Sequence, residues 1–542
     1  MHPSAFLELF KELLRLIKME NPRLYIEDLR FEIGSIELTG PASTETLLST
    51  IIPHISDLKA SSKHAELFQS LRGLTNPAML PANTVLAFSA QDPRLRYPPR
   101  RQEDFGNDAQ QIKLMETVAE WPAEEGLDSF MIYDRNARHK ASCLPSQQAI
   151  NKRRSTTTPG TFLKPTSADP QIPLMLLASR SRSSTQTQGS WTLLLPWKCV
   201  IPFWHSIVHC PLISGGSPRF AGLNEAMQVA LERGLPWFPA DYIGTDAGAR
   251  WELEQRAKRK RDYDRRPKSK RTEWDSLDLG AGRHGEIGNG LACDWELLFG
   301  LTAGESRSKE ITGPDAMEGV EQSQQSPAQT QSRLTFLNSI SRATLQEHML
   351  SELPSTLPPN AVSAVRITIL SRGVVGSCAR IYRLPNSTEP VAINSNAEVP
   401  ATMPASEAQL PADLRKQWLS RQPSASSSQQ STTHQAPKST DLEARKRLLA
   451  QELTAPPSGY PQEPANKESI GGHHPLVPDA ADLVGFVTSG SFNLADGRGT
   501  AIGSVAVEKV LPGLKACPRE GRLCIVRNAG ENVGWLARWE AI

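Results

Sequence analysis

Between Arg256 and Arg271 the chain reads RAKRKRDYDRRPKSKR, ten Lys or Arg against Asp262 and Asp264, a local charge of +8 over 16 residues. A run like this neutralises phosphates and gains affinity by releasing their counterions. It singles out Lys258, Arg259, Lys260, Arg261, Arg265, Arg266, Lys268, Lys270 and Arg271 for RNA contact, with Tyr263 as an aromatic able to stack on a base. A nuclear-import patch or a solvated surface has the same composition. A second cluster, Arg94, Arg96, Arg100 and Arg101, follows directly on the strand-like NTVLAFSA, so the fold can hold these side chains in place. Lys152–Arg154 is a smaller basic group. Arg498 lies between Gly497 and Gly499 in GRGTAIG, a glycine-bent turn from which a guanidinium can reach a phosphate.

Other patterns do not reach a chemistry. GAGRHG at Gly280–Gly285 matches GxGxxG, but no apolar strand precedes it and no helix follows, so dinucleotide binding is set aside. His205 and His209 are four apart, as helical zinc ligands are, with Cys199 and Cys210 nearby. Without an acidic partner as in HExxH, a buried aromatic core with incidental histidines is expected. There is no GxSxG, no Walker loop and no paired-carboxylate motif. The residues therefore point to no catalytic group, no metal site and no bound cofactor.

The elements that must position the basic residues follow from length and pattern. A chain of 542 residues is enough for two to four domains at roughly 100–200 residues each. The net charge of +2 argues against a uniformly basic sleeve and against an acidic solvating protein, and it conceals the local +8. Hydrophobic content of 39% with 42 prolines suggests folded blocks between long linkers. Seven scattered Cys with no CxxC pair argue for a reducing compartment and against a disulfide framework. The opening MHPSAFLELFKELLRLIKME is an amphipathic helix without a signal-peptide core. Trp191 to Ile213 is long enough to span a membrane, but Pro196, Pro202 and Pro211 break it, so a buried core segment is expected.

Seven blocks result. Residues 1–100 form an α+β segment, with Phe31, Ile33, Ile36 and Leu38 alternating around Gly34. Residues 101–188 form a variable, partly disordered insert with one strand candidate at Pro173–Ala178. Residues 189–300 hold seven of the eleven Trp and should carry a hydrophobic core. Residues 301–333 and 396–470 are Ser- and Gln-rich and read as disordered linkers, the second interrupted by a lone helix at Asp441–Leu453. Residues 334–395 supply a helix and strands, and 471–542 read as short strands with Gly turns, a C-terminal β-barrel segment.

The strings WTLLLPWKCVIPFWHSIVHCPLISGG, ALERGLPWFPADYIGT, RRPKSKRTEWDSL and CDWELL closely resemble the POPLD-domain family, which defines the largest protein subunit of eukaryotic ribonuclease P and ribonuclease MRP. HPSAF, EDLRFEIGSIELTGPASTE, QDPRLRYPP, AVRITILSRG, ARIYRLP, DLVGFVTSGSFNLADGRGTAIGS and CIVRNAGENVGWLARWE fit the same family in the same order. Members usually carry a long basic region before HPSAF, so this chain looks like the later part of a larger subunit, and contacts borne by that region are not carried over. His205 stands where the family pattern leads one to expect an apolar residue.

The resemblance implies an α+β fold with a glycine-cleavage T-protein-like core, a C-terminal β-barrel and disordered linkers between blocks. It implies a non-catalytic, RNA-binding scaffold in the nucleus and nucleolus. Its partners would be ribonuclease P RNA, ribonuclease MRP RNA and the smaller protein subunits, with precursor tRNA and precursor rRNA as substrates of the holoenzyme and no membrane. Mg²⁺ is expected on the catalytic RNA rather than on the protein. A folate-binding aminomethyltransferase-like enzyme, suggested by fold analogy alone, and a nuclear protein–protein adaptor are the alternatives.

Overall fold

Apolar residues at every second position build the first sheet. The computed structural model describes residues 6–22, 24–54, 62–101, 108–121, 131–180, 188–301, 336–351, 357–370, 373–385, 410–423, 446–447, 474–494 and 496–542. The expected linker over 302–333 lies outside the described residues, as does the helix Asp441–Leu453 apart from 446–447. The chain divides into two compact units, one of Leu7–Ala226 and one of Met227–Ile542 with Phe6.

In the first unit, β1 (Ile33–Thr39), β2 (Val85–Ala90), β3 (Ile172–Ser179) and β4 (Ser190–Pro196) form an antiparallel sheet of order β1-β4-β3-β2. Gly34, Ile36 and Leu38 face the core, while Ser35, Glu37 and Thr39 face out. Phe31 does not join this alternation: it sits before the strand at φ 64, exposed, edge-on to Trp197 at 5.5 Å. A Cβ on Gly34 would lie 2.3 Å from Val200 Cγ2, so only glycine lets the helix Val200–Val208 approach this strand. Helices Ser43–Thr50, Lys63–Ser70 and Val200–Val208 close the core with Leu47, Phe68 and Phe203. Trp191 is fully buried, and its indole N–H donates to Thr44 Oγ1 at 3.0 Å.

The block 101–188, expected to be a variable insert, supplies β3, an inner strand of this sheet, and the helices Arg135–Ser142 and Gln147–Ser155. The strand candidate Pro173–Ala178 lies within β3, whose run IPLMLLAS is buried through its first five residues. The stretch Trp191 to Ile213 divides into β4, a short 3-10 turn and the helix Val200–Val208. Among the described residues no helix is long and apolar enough to cross a membrane.

The second unit is built on a barrel. Its strands are β5 (Asp278–Gly280), β6 (Arg283–His284), β7 (Asn338–Ile340), β8 (Ala361–Ile369), β9 (Arg380–Arg383), β10 (Leu483–Asn493), β11 (Arg498–Ala506), β12 (Leu523–Arg527) and β13 (Gly534–Ala541). Six of them close antiparallel in the order β8-β11-β10-β9-β12-β13 and back to β8. Closure leaves these strands without a free edge. β7 pairs in parallel with the start of β8, and β5 and β6 form a separate hairpin. β12 is buried on both faces: Leu523 and Ile525 enter one apolar cluster, Cys524 and Val526 another. The barrel expected of 471–542 thus needs β8 and β9 from the preceding folded block.

Two expectations are corrected here. Within the supposed linker 396–470, Leu414–Leu419 is a helix whose Leu414 and Trp418 join the core of this unit. Its six residues are too few to show a helical period amid Ser, Gln and Pro. The block 189–300 does not hold one Trp core: Trp191 belongs to the first unit's core and Trp295 to the second's, while Trp197 and Trp204 are exposed.

Candidate nucleic-acid interface

The basic run begins in the second half of a helix, Asp246–Arg265, and continues past its end through the 3-10 turn Lys268–Lys270. Thr245 caps it by accepting from the Gly248 N–H at 3.1 Å, Asp246 lies in the first turn and Arg265 in the last, and Pro267 follows the end. Residues on opposite faces of this helix meet different surroundings. Arg256 and Arg259 turn inward: Glu252 Oε1 accepts from Arg256 Nε at 3.2 Å, from Arg259 Nη2 at 2.8 Å and from the Cys293 N–H at 3.0 Å. Arg256 also pairs with Glu296 at 2.8 Å, and Arg259 donates to the Leu291 carbonyl at 2.6 Å. Burial opposes the Arg256 charge, but Glu296 and Glu252 more than offset it and hold the guanidinium above its ordinary pKa.

Lys258, Lys260, Arg261, Arg265, Arg266, Lys268 and Lys270 are exposed. Lys258, Arg261 and Arg265 follow one another at helical spacings of three and four, so they share a face. Arg271 folds back instead. Its Nε donates to the Arg266 carbonyl at 2.9 Å, Nη2 donates to the Asp264 carbonyl, and its guanidinium lies 5.6 Å from the Tyr263 ring. Tyr263 donates its hydroxyl to the Thr272 carbonyl at 2.8 Å and packs 6.0 Å from Trp274. The ring expected to stack on a base is therefore occupied by its own chain.

In the first unit the 3-10 turn Pro93–Arg96 follows β2, with Asp92 accepting from the Arg94 N–H at 2.9 Å. Buried Asp92 also holds the Arg94 side chain, through Nε at 3.0 Å and Nη2 at 2.6 Å, and Nη2 reaches the Pro145 carbonyl at 2.9 Å. The guanidiniums of Arg96 and Arg100 lie 5.7 and 4.3 Å from the Phe162 ring. Arg100 also donates to the Gly160 carbonyl, and Arg101 donates to the Ile213 carbonyl at 2.6 Å. Arg154, from the smaller basic group, donates to the Arg94 carbonyl at 2.9 Å, so it joins this cluster. Arg498 is exposed at the start of β11, beside Gly497 at φ 64 in the hairpin between β10 and β11.

Several groups differ from what the sequence suggests or carry no sequence signal. His205 and His209 are exposed rather than buried, with rings stacked at 4.3 Å, and Tyr97 lies 5.1 Å from His205. GAGRHG forms the hairpin of β5 and β6, with φ positive at Gly280, Ala281, Gly282 and Gly285. Cys293 and Cys378 are buried with their sulfurs 3.8 Å apart, and the Glu252 carboxylate lies within 4.8 Å of both. Glu252 Oε1 already accepts three hydrogen bonds, so this carboxylate braces the helix against the loop at Cys293.

Deeper still, the Glu286 side chain is 1% exposed and lies between two arginines with fully buried side chains. It pairs with Arg380 Nε at 3.1 Å and Arg527 Nη1 at 3.0 Å, and accepts from the Gly530 N–H at 2.7 Å. Arg527 also donates to the Tyr382 hydroxyl at 3.1 Å. Burial pushes the Glu286 carboxyl up, but hydrogen bonding to Arg527 and the charges of both arginines outweigh this and leave it below the ordinary value of 4.5.

Comparison with known proteins matches the POPLD (NUC188) domain to residues 190–295 and the POP1 C-terminal domain to residues 361–542. The Saccharomyces cerevisiae "Ribonucleases P/MRP protein subunit POP1" is 24% identical over 100% of this chain and 58% of its own length. The Schizosaccharomyces pombe protein of the same name is 21% identical over 100% of this chain and 55% of its own. The Homo sapiens protein is 24% identical over 51% of this chain and 28% of its own. The chain spans about half the length of the two yeast relatives and less of the human one. The two domain matches follow one another in chain order, so the chain carries a POPLD (NUC188) domain and, after it, a POP1 C-terminal domain.

Proposed function

We propose that the chain is a non-catalytic, RNA-binding scaffold subunit of ribonuclease P and ribonuclease MRP, working in the nucleus and nucleolus. It grips ribonuclease P RNA or ribonuclease MRP RNA together with smaller protein subunits. The RNA, with Mg²⁺, carries out the hydrolysis that removes the 5′ leader of precursor tRNA or cuts precursor rRNA. The protein's part needs cations and aromatic surfaces on preformed elements, and no cofactor of its own. We extend the proposal to the fold: β1 and the helix Ser43–Thr50, from IELTGPASTETLL, act as the strand–turn–helix of a T-protein-like core.

The observation that carries the reading is the match along the whole chain to two relatives named as ribonuclease P/MRP subunits. The exposed cations of the helix Asp246–Arg265 support it, because their positions are fixed before any RNA arrives.

The test is affinity purification of the tagged chain with sequencing of the bound RNA. Ribonuclease P and MRP RNAs are expected to be enriched, and their absence overturns the proposal. Changing Lys258, Lys260, Arg261 and Arg265 together to Ala is expected to weaken RNA binding. It should flatten the dependence of log affinity on log salt by up to about 3–4, at roughly 0.9 per lost phosphate contact. An unchanged slope removes this face from the RNA contacts.

A further inference from the structure

We infer that the first unit carries a pocket for a single unpaired nucleotide of an RNA strand, between the turn Pro93–Arg96 and the helix Val200–Val208. This deepens the proposed function and rests on it. The pocket encloses about 400 Å³ and is lined by Arg94, Tyr97, Gln147, Arg154, Ile201 and His205 among others. That volume lies near the low end of the ~300–1,000 Å³ typical of small-ligand sites, which suits one nucleotide and excludes a duplex stem.

Its chemistry is that of base recognition. Two flat rings, Tyr97 and His205, have centroids 5.1 Å apart, and the Arg154 guanidinium lies 5.9 Å from the Tyr97 ring. Unpaired bases stack on such aromatic and guanidinium planes. Tyr97 is packed by its own neighbours much as Tyr263 is, but it lines a cavity open to a base, whereas the Tyr263 hydroxyl is tied to the Thr272 carbonyl. Ile201, 73% exposed at the rim, gives an apolar contact that the described residues leave uncovered. Gln147 brings an amide that donates to Asn151 Oδ1 at 3.1 Å and accepts from Arg94 Nη1 at 3.5 Å, with its second N–H and second lone pair left to read a base edge.

The charges are divided by role. Arg94 is compensated by Asp92 and fixed in place. Arg154 makes one hydrogen bond, to the Arg94 carbonyl, and no ion pair among the described residues, so its charge faces the pocket uncompensated. It is the group for the nucleotide's phosphate. Backbone strand continuing from the pocket meets Arg96 and Arg100.

The experiment measures binding of the full chain to a short single-stranded RNA carrying one fluorescent purine analogue, with a duplex of the same sequence as control. The wild type is expected to quench the analogue by stacking. Tyr97→Ala should lower single-strand affinity by roughly 5- to 100-fold and abolish the quench, at an unchanged salt slope. Tyr97→Phe, which keeps the ring, should retain both. Arg154→Ala should flatten the salt slope by about 0.7. Duplex binding should be insensitive to Tyr97→Ala. If Tyr97→Ala and Arg154→Ala bind the single strand like wild type while the variant of Lys258, Lys260, Arg261 and Arg265 loses affinity, the pocket is overturned and the RNA-binding reading stands. If free AMP displaces the strand as strongly as an unlabelled strand does, the assignment to an RNA strand is overturned in favour of a mononucleotide site. If the wild type binds neither RNA, both readings fall.

Discussion

The second unit uses the same ionic unit twice, one carboxylate clamped by two arginines, in two different settings. In the barrel, Glu286 joins Arg380 and Arg527, all essentially out of reach of solvent. On the basic helix, Glu252 joins Arg256 and Arg259, whose side chains keep about a fifth of their surface exposed, at 19% and 23%. The barrel triad is internal framework. The helix triad divides a run of charge, fixing two arginines inward and leaving Lys258, Lys260, Arg261 and Arg265 outward. A count of basic residues therefore overstates the number available to a phosphate, and burial of the partner carboxylate decides which ones are withdrawn.

The largest effect is expected where solvent cannot compensate. Glu286→Ala leaves two buried guanidiniums short of their counter-ion and should destabilise by about 3–5 kcal/mol in chemical denaturation. The pH dependence has a definite sign. The folded-state pKa of Glu286 lies below its ordinary value of 4.5, so its pairing contributes fully above that pH and is lost as pH falls through the depressed folded value. Glu286→Gln should therefore be less stable than wild type at neutral pH but lose less on acidification. Equal loss in both proteins would mean that other carboxylates govern acid unfolding.

Glu252→Ala should cost less, about 2–3 kcal/mol, because water reaches Arg256 and Arg259 and Arg256 retains Glu296. A loss as large as that of Glu286→Ala would erase the distinction between the two triads. Arg259→Ala sharpens the comparison further. It should destabilise by about 1–3 kcal/mol through lost bonds to Glu252 and the Leu291 carbonyl, with the salt slope of RNA binding unchanged. Lys258→Ala should do the reverse, leaving stability within about 0.5 kcal/mol and flattening the slope by up to about 0.9.

The two triads also differ in how far the sequence discloses them. Glu252, Arg256 and Arg259 recur at helical spacing, so their shared face is readable once the helix is placed. Which way that face points depends on Cys293 and Glu296, brought in by the fold. Glu286, Arg380 and Arg527 come from three distant stretches and carry no local pattern. The sheets divide likewise. Ile36 and Leu38 announce β1 by alternation, and the glycine-rich turns announce the hairpin of β10 and β11. Barrel closure is a pairing of β8 with β11 and β13 across more than a hundred residues, beyond any local window. Leu414–Leu419 escaped notice because its one strong signal, Trp418, is a single residue in a polar stretch.

The smallest expected effect on RNA binding tests the aromatic in the middle of the basic run. Composition assigns Tyr263 to a base, whereas packing assigns it to the helix end: its hydroxyl holds the Thr272 carbonyl, Trp274 packs near its ring and Arg271 lies over it. Tyr263→Phe removes only that hydrogen bond and should cost about 0.5–1.5 kcal/mol. Because the ring and its neighbours stay, RNA affinity and salt slope should both match wild type. A stacking ring would also survive this change, so Tyr263→Leu completes the test. Loss of a base stack would cost roughly 1–3 kcal/mol of binding free energy. Retained RNA affinity in the leucine variant, alongside reduced thermal stability, would fix Tyr263 as part of the helix's anchor; a binding loss of that size would return it to the RNA-facing surface.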